Sequence, residues 1–211
     1  MTLHEQLQDP DLGTRIRAIN AIRALPATEA VPLLALALND VNTRVRYSAA
    51  SMLGTKSTPQ SLQLLLTALQ EDPEFDVRAA AAAALGDLKD PVAFPALIQA
   101  YQRDREEMVR FSIVAALGEL GDPRGLELLT LALSQGGLQE EAALMALGQL
   151  ALPEVIPYLT TYLTHPDWQL RLRAVQALGA MGTEASLAPL QELKDDNPTV
   201  QQALQITNPM P

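Results

Sequence analysis

Hydrophobic residues along this chain recur at the three- and four-residue spacing of an α-helix, not in the alternation typical of a strand. Apolar segments at 29–38, 91–101 and 154–163 predict one set of helices, here called the A helices. Alanine-rich segments such as 78–86 lie between them and predict a second set, the B helices. The pattern therefore predicts alternating A and B helices and no sheet.

The same short sequence returns about every 30 residues along the chain. It consists of an aspartate, an arginine six positions later and a run of small residues that ends in Leu-Gly, as in 40–54, 72–86 and 104–118. A period of this length is typical of stacked helix pairs, in which each repeat packs only against its neighbours. It predicts an all-α fold, a right-handed α-solenoid of about six to seven helix-pair repeats. The predicted single domain covers 1–211, with units at 1–25, 26–54, 55–86, 87–118, 119–148 and 149–179 and a partial cap at 180–211.

The arginine of each copy anchors the alignment of the repeats. The anchors are assigned to Arg17, Arg46, Arg78, Arg110, Glu140, Arg171 and Gln201, and the residues six positions earlier are Asp11, Asp40, Asp72, Asp104, Ser134, His165 and Asp195. Aspartate at these positions predicts capping of helix starts. The glycines of the Leu-Gly pairs predict helix ends with a left-handed residue: Gly54, Gly86, Gly118, Gly148 and Gly179.

Aspartate and arginine at fixed positions predict a charge ladder along the stack. Because arginine can donate two parallel hydrogen bonds to a carboxylate, we interpret the ladder as a brace between repeats, with an anion-binding site as the alternative. Its members are Asp40, Arg46, Asp72, Arg78, Asp104, Arg110 and Arg171.

The fifth copy breaks this pattern, because Ser134 and Glu140 replace the aspartate and the arginine. The joint loss suggests that the two positions are coupled. The segment is interpreted as an irregular repeat, with two functional alternatives. It could form a hinge, or Glu140 and Glu141 could form an acidic spot for a basic partner.

Exposed residues of the B helices are the candidate binding surface, because B helices line the concave face of such stacks. Large apolar residues follow the anchor at Tyr47, Phe111 and Leu172, and whether the first two face the groove or the core stays open. Phe75 and Trp168, three residues before their anchors, are interpreted as wedges between repeats. The candidate concave-face binding residues are Arg15, Arg44, Tyr47, Met108, Phe111, Glu141, Leu172 and Arg173.

Composition narrows the function classes. The formal net charge is −10, of which residues 106–211 carry −8, and an acidic chain repels a nucleic-acid backbone. The chain has no cysteine and only two histidines, so we expect no metal site and assign no catalytic residue. No apolar run is long enough to span a membrane, and the first residues lack the features of a secretory signal, so we expect a cytoplasmic protein.

The repeat motif resembles the HEAT-like repeats of the cyanobacterial phycobilin lyase family. The resemblance rests on Asp-x-x-(Trp/Phe)-x-(Val/Leu)-Arg-x-x-Ala-x-x-Ala-Leu-Gly with a proline-rich start of helix A, and covers residues 9–206. Segments 14–25 and 39–53 look most like the NblB type, which is tied to phycobilisome degradation. The resemblance implies a protein that handles a phycobiliprotein or its linear tetrapyrrole, phycocyanobilin, without an intrinsic cofactor.

Three functions fit these observations. The first is a non-enzymatic adaptor of the NblB type, which binds a phycobiliprotein and its bilin in a concave groove during phycobilisome turnover. The second is a subunit of an E/F-type lyase, which attaches or detaches phycocyanobilin together with a partner subunit. The third is a general scaffold, for example a partner of an iron–sulfur assembly protein. Whether the chain is an enzyme stays open at this point.

Overall fold

A computed structural model of the chain describes residues 1–207, and the regular structure in that range is entirely helical. The predicted all-α class is therefore confirmed. The A helices are α1 (Leu3–Leu7), α3 (Ala27–Ala37), α5 (Pro59–Glu71), α7 (Phe94–Arg103), α9 (Leu126–Leu133), α11 (Ile156–Thr161) and α13 (Glu184–Leu187). The B helices are α2 (Leu12–Ile22), α4 (Thr43–Leu53), α6 (Phe75–Leu88), α8 (Glu107–Leu120), α10 (Gly137–Leu150), α12 (Trp168–Met181) and α14 (Pro198–Thr207).

Two compact units divide the chain, Met1–Ala116 and Leu117–Pro211, and the boundary falls inside α8. Each unit is a stack of helix pairs with its own apolar core. In the first unit, Leu34 of an A helix and Leu53 of a B helix are fully buried. Leu129 and Leu144 are their counterparts in the second unit. The predicted repeat boundaries and the handedness of the stack stay predictions.

The B helices end later than the Leu-Gly pairs predict. Gly86, Gly118, Gly148 and Gly179 lie inside α6, α8, α10 and α12. The left-handed residues are instead three positions further on, at Lys89, Gly121, Ala151 and Gly182. Gly54 caps α4 with an ordinary right-handed φ of −58°. The prediction that these glycines end their helices was therefore wrong for the other four, and at Gly54 only the predicted left-handed conformation was wrong.

Close packing between successive B helices explains these glycines better. A Cβ built on Gly86 would lie 2.7 Å from the Cα of Ala116, and one built on Gly148 would lie 2.8 Å from the Cα of Ala177. Such distances are too short for real Cβ atoms, so any side chain here would push the neighbouring helix away. Four of the five Leu-Gly pairs therefore mark a close helix crossing in which the glycine faces an alanine, and at the fifth Gly179 faces Thr207.

Candidate functional site

Several arginines of the repeat link their helix pair to the next one along the chain. The Nε and Nη2 atoms of Arg46 donate to the two carboxylate oxygens of Asp72 over 2.8 and 3.0 Å, and its Nη1 donates to the backbone oxygen of Asp40 over 3.0 Å. Arg78 bonds Asp104 in the same way, and Arg171 bonds Asp195. One guanidinium thus joins its own turn to the turn of the following repeat.

Each aspartate of the ladder also shapes the turn in which it lies. Asp40 accepts the backbone N–H of Asn42 over 2.8 Å, and Asp72 accepts that of Glu74 over 3.0 Å. The accepted N–H belongs to the residue just before the B helix, so the carboxylate fixes where that helix begins. The aspartates therefore position the first turn of every regular B helix.

The first copy of the repeat starts two residues earlier than the alignment on Arg17 indicates. Arg15 donates from Nη1 to the backbone oxygen of Asp9 over 2.8 Å, and its Nε lies 2.8 Å from Oδ2 of Asp40. Arg17 is exposed beside Asp11 at 3.5 Å, and Asp11 caps α2 by accepting the N–H of Thr14. Arg15, a candidate for the binding face, therefore lies in the ladder, and the assignment of the first anchor was wrong.

The ladder changes its chemistry where Ser134 and Glu140 stand. Arg110 donates from Nε to the backbone oxygen of Asp104, and its guanidinium lies 5.7 Å from the ring centroid of Tyr101. Glu140 accepts a 2.7 Å hydrogen bond from the hydroxyl of Tyr162 in the next repeat. The ring of Tyr162 stacks on His165 with centroids 5.5 Å apart.

This arrangement corrects the idea that the aspartate and arginine of one copy are coupled to each other. In the regular ladder, the carboxylate of Asp72 pairs with Arg46 of the preceding copy, whereas Arg78 of its own copy pairs with Asp104. The two positions of one copy therefore belong to two different pairs. Glu140 is half-buried and engaged with Tyr162, so it is not a free acidic spot.

Electrostatics differ between these two kinds of contact. The hydrogen bonds from Arg171 lower the pKa of Asp195 despite its burial. Burial and the hydrogen bond to Glu140 act in the opposite sense on Tyr162, whose pKa they raise well above its usual range. The regular joint thus favours two charged groups, and the divergent joint favours a neutral phenol beside a carboxylate.

The corrected register aligns the exposed face of the first B helices. The residues directly after the anchors are now Ile16, Tyr47, Ala79 and Phe111. Ala18, which the alignment on Arg17 placed at this position, is fully buried. The residues three positions before the anchors are Leu12, Thr43, Phe75 and Glu107. Residues at these repeated positions share one side of their helices, because positions three and four apart lie on the same face.

A groove of about 760 Å³ lies on this face of the first unit. α2 supplies Leu12, Gly13 and Ile16, α4 supplies Thr43, Arg44, Tyr47 and Ser48, and α6 supplies Asp76. Tyr47 is 47% exposed, which settles the open question for this residue: it faces the groove and not the core. A volume of this size is in the range of small-molecule and peptide sites.

The charged residues of the groove are Arg44 and Asp76, which stand at the same position of α4 and α6. Both side chains are exposed, and within residues 1–207 neither forms an ion pair or a side-chain hydrogen bond. This contrasts with the ladder arginines, whose guanidinium groups are engaged. The groove therefore offers an apolar floor, an aromatic ring and two free charges of opposite sign.

The remaining candidates lie on the equivalent positions of later B helices. On α8, Met108 is exposed and Phe111 is half-buried, but neither lines the groove. Glu141 of α10 is half-buried in the second unit, and so are Leu172 and Arg173 of α12. Phe75 and Trp168 were interpreted as wedges between repeats, and each is nevertheless more than one-third exposed.

Sequence reasoning found two of the eight groove residues, Arg44 and Tyr47. It missed Leu12 and Ile16 because the first anchor was placed two residues late. An alignment on Asp9 and Arg15 would have found both, since it restores the spacing to Arg46. Asp76 carried a weaker signal, because an acidic residue in the first turn of a helix is also expected from the helix dipole alone.

These features define a helical-repeat protein whose B helices present an exposed groove. The chain belongs to the HEAT-repeat family, since residues 1–86, 62–137 and 138–207 match the family model for HEAT repeats. No curated protein sequence matches the chain significantly.

Solved structures provide two comparisons. A chain from the complex of CpcE and CpcF of phycocyanin lyase from Nostoc sp. PCC7120 is 27% identical, with a TM-score of 0.67 over 99% of this chain and 87% of that chain. YibA of Escherichia coli is 18% identical, with a TM-score of 0.61 over 99% of this chain and 92% of that chain. The first supports a phycobilin lyase-like protein, and the second shows the fold alone.

Within residues 1–207, no helix combines the length and apolar character that crossing a membrane requires. No group of three or more histidine, cysteine, aspartate or glutamate side chains in the same residues is placed to hold a metal ion.

Proposed function

We propose that this protein binds a phycobiliprotein through the exposed face of its first B helices and takes up the linear tetrapyrrole of that partner in the groove. The groove lined by Tyr47 is the observation that carries the proposal. The similarity to a chain of the phycocyanin lyase complex, which extends over 99% of the sequence, supports the choice of partner.

The chemistry of the groove suits such a ligand. A linear tetrapyrrole is a long conjugated molecule, and an exposed tyrosine ring offers a face on which it can stack. Leu12 and Ile16 supply apolar contact beside it. Its propionate groups need a cation, which Arg44 supplies. The groove therefore has a group for each part of the ligand.

The direct test is binding of phycocyanin and of free phycocyanobilin by the purified chain. Co-elution should detect the protein complex, and a shift of the visible absorption band should detect the bilin. Tyr47→Ala should weaken bilin binding about tenfold, because stacking of a flat conjugated ring, such as a nucleic-acid base, on an aromatic side chain contributes on the order of 1–3 kcal/mol. The matched control is Tyr158→Ala on α11, whose tyrosine is equally exposed at 46% but lies outside the groove.

A variant that fills the groove complements the deletion. The atoms nearest to a Cβ on Gly13 belong to the Arg17 and Asp11 side chains, at 3.2 Å, so a larger residue requires these side chains to shift slightly and not the backbone. Gly13→Leu should therefore leave the fold intact and block the groove. If this variant and Tyr47→Ala bind both ligands as the native chain does, the proposed site is wrong.

A second candidate function is that of a lyase subunit, favoured by the same structural neighbour, which is a complex of two lyase chains. A lyase would form or break a covalent bond between bilin and protein, whereas an adaptor would only hold them. Incubation with apo-phycocyanin and bilin, with and without a CpcE- or CpcF-like partner, followed by mass spectrometry, separates the two. A bilin adduct that depends on this chain establishes the lyase, and binding without adduct in every combination establishes the adaptor.

A further inference from the structure

Opposite charges that share a groove without pairing are the most informative feature outside the ladder. Arg44 and Asp76 both line the groove, yet no ion pair joins them and neither side chain is engaged elsewhere in residues 1–207. In contrast, the nearby Arg46 and Arg78 each form an ion pair with an aspartate of the next repeat. The groove charges are thus left available to a ligand.

The geometry points to a recognition site with two polar contacts, and we propose that Arg44 binds a propionate carboxylate of the tetrapyrrole while Asp76 accepts hydrogen bonds from its pyrrole N–H groups. This inference rests on the proposed function. It adds which edge of the ligand lies where: the propionate side chains lie towards α4 and the pyrrole N–H groups lie towards α6.

Helix spacing supports this assignment. The two residues occupy the same position on successive B helices, and packed helices lie about 8–10 Å apart. At that spacing, the two side chains can contact different parts of one extended ligand. Tyr47 lies one turn after Arg44 on the same face of α4, so the ring is beside the propionate contact.

Arg44 and Asp76 should each make a modest contribution to the affinity for the ligand. Both side chains are exposed, so solvent screens their interactions, and each contact should change affinity only a few-fold. The two charges would then set the orientation of the ligand more than its affinity, which the aromatic and apolar contacts provide.

Chemical removal of the ligand charge gives the sharpest test. The dissociation constants of phycocyanobilin and of its dimethyl ester are measured for the native chain, Arg44→Gln and Asp76→Asn, with Arg23→Gln as control. Arg23 is an exposed arginine outside the groove. The native chain should bind the free acid about fivefold more tightly than the ester, and Arg44→Gln should remove that preference. Asp76→Asn should weaken both forms equally, by about threefold.

Each other outcome rejects a defined part of the proposal. Equal weakening of acid and ester by Arg44→Gln would show that this arginine does not read the carboxylate. Unchanged binding by Asp76→Asn would remove the second contact. If the native chain binds phycocyanin but neither form of the free bilin, the inference is wrong while the partner stands. If it binds neither phycocyanin nor bilin, the proposed function itself fails.

Discussion

The joint made by Arg78 and Asp104 in the first unit and the joint made by Glu140 and Tyr162 in the second both start from the anchor position of the repeat. The first uses a guanidinium with two hydrogen bonds to a carboxylate, and the second uses one phenol hydroxyl on a carboxylate. Both connect the anchor position of one repeat with the next repeat. The comparison teaches that a bridge from the anchor position to the next repeat can change its chemistry from a charged pair to a phenol on a carboxylate.

Both units contain close crossings between successive B helices. Substitutions at the glycines of these crossings should have the largest effect on stability. Gly86→Val and Gly148→Val should each lower the free energy of unfolding by about 3 kcal/mol or more, since the added atoms clash with the backbone of the adjacent B helix. Chemical denaturation followed by circular dichroism measures both. Gly13→Val is the control, because the atoms nearest to its Cβ are side-chain atoms of Arg17 and Asp11, at 3.2 Å, and not the backbone of another helix. Similar stability of all three variants would mean that the crossings are not tightly packed.

Loss of one arginine should be the next largest effect. Arg78→Met keeps much of the apolar stem but leaves the carboxylate of Asp104 without its partner, and that side chain is only 9% exposed. We expect a loss of about 2 kcal/mol, because a poorly solvated charge that has lost its partner is costly. Arg103→Met, at an exposed position close by, should change stability by less than about 0.5 kcal/mol. Equal effects of the two variants would contradict the bridging role of Arg78.

The divergent joint should be weaker. Tyr162→Phe removes the hydroxyl that donates to Glu140 but keeps the ring stacked on His165. The expected cost is about 1 kcal/mol, the usual contribution of one hydrogen bond. Trp168, the only tryptophan, lies in the same unit and reports its unfolding by fluorescence. The matched control is Tyr158→Phe, which alters an exposed tyrosine of the same unit. If Tyr162→Phe lowered the free energy of unfolding as much as Arg78→Met does, the two joints would not differ in strength.

The sequence was sufficient for the class of fold, because a period of about 30 residues with helical spacing leaves few alternatives to stacked helix pairs. It was insufficient for the role of the glycines, since a Leu-Gly pair looks the same at a helix end and at a close crossing such as that of Gly86 with Ala116. It was also insufficient for the replacement of the ladder at Glu140, because Tyr162 stands 22 residues away and lies outside the repeated motif.

The candidate site shows the same limit. Arg44 and Tyr47 could be predicted, because an aromatic residue next to an anchor breaks a run of small residues. Ile16 could not be predicted while Arg17 served as the first anchor. Two arginines two positions apart fit the motif equally well by letter, and only the hydrogen bonds of Arg15 to Asp9 and Asp40 distinguish them. A candidate face on a repeat protein thus depends on the register of every copy.

The smallest expected effect that distinguishes the two joints is a loss of stability at high pH, which should occur at the Glu140–Tyr162 joint only. The folded-state pKa of Tyr162 is raised by burial and by Glu140, so the stability that this phenol contributes is fully present below its unfolded pKa of about 10 and is lost as pH rises above it. Near pH 11 the free energy of unfolding of the second unit should therefore be about 1 kcal/mol lower than at pH 9, as read from Trp168 fluorescence during denaturation.

Tyr162→Phe should reduce this loss of stability, and Glu140→Gln should reduce it in part, because the carboxylate charge contributes to the raised pKa of Tyr162. The arginine of the regular joint keeps its proton throughout this range, so Arg78→Met should leave the alkaline loss unchanged. An alkaline loss of the same size in Tyr162→Phe would show that the phenol is not what distinguishes the divergent joint.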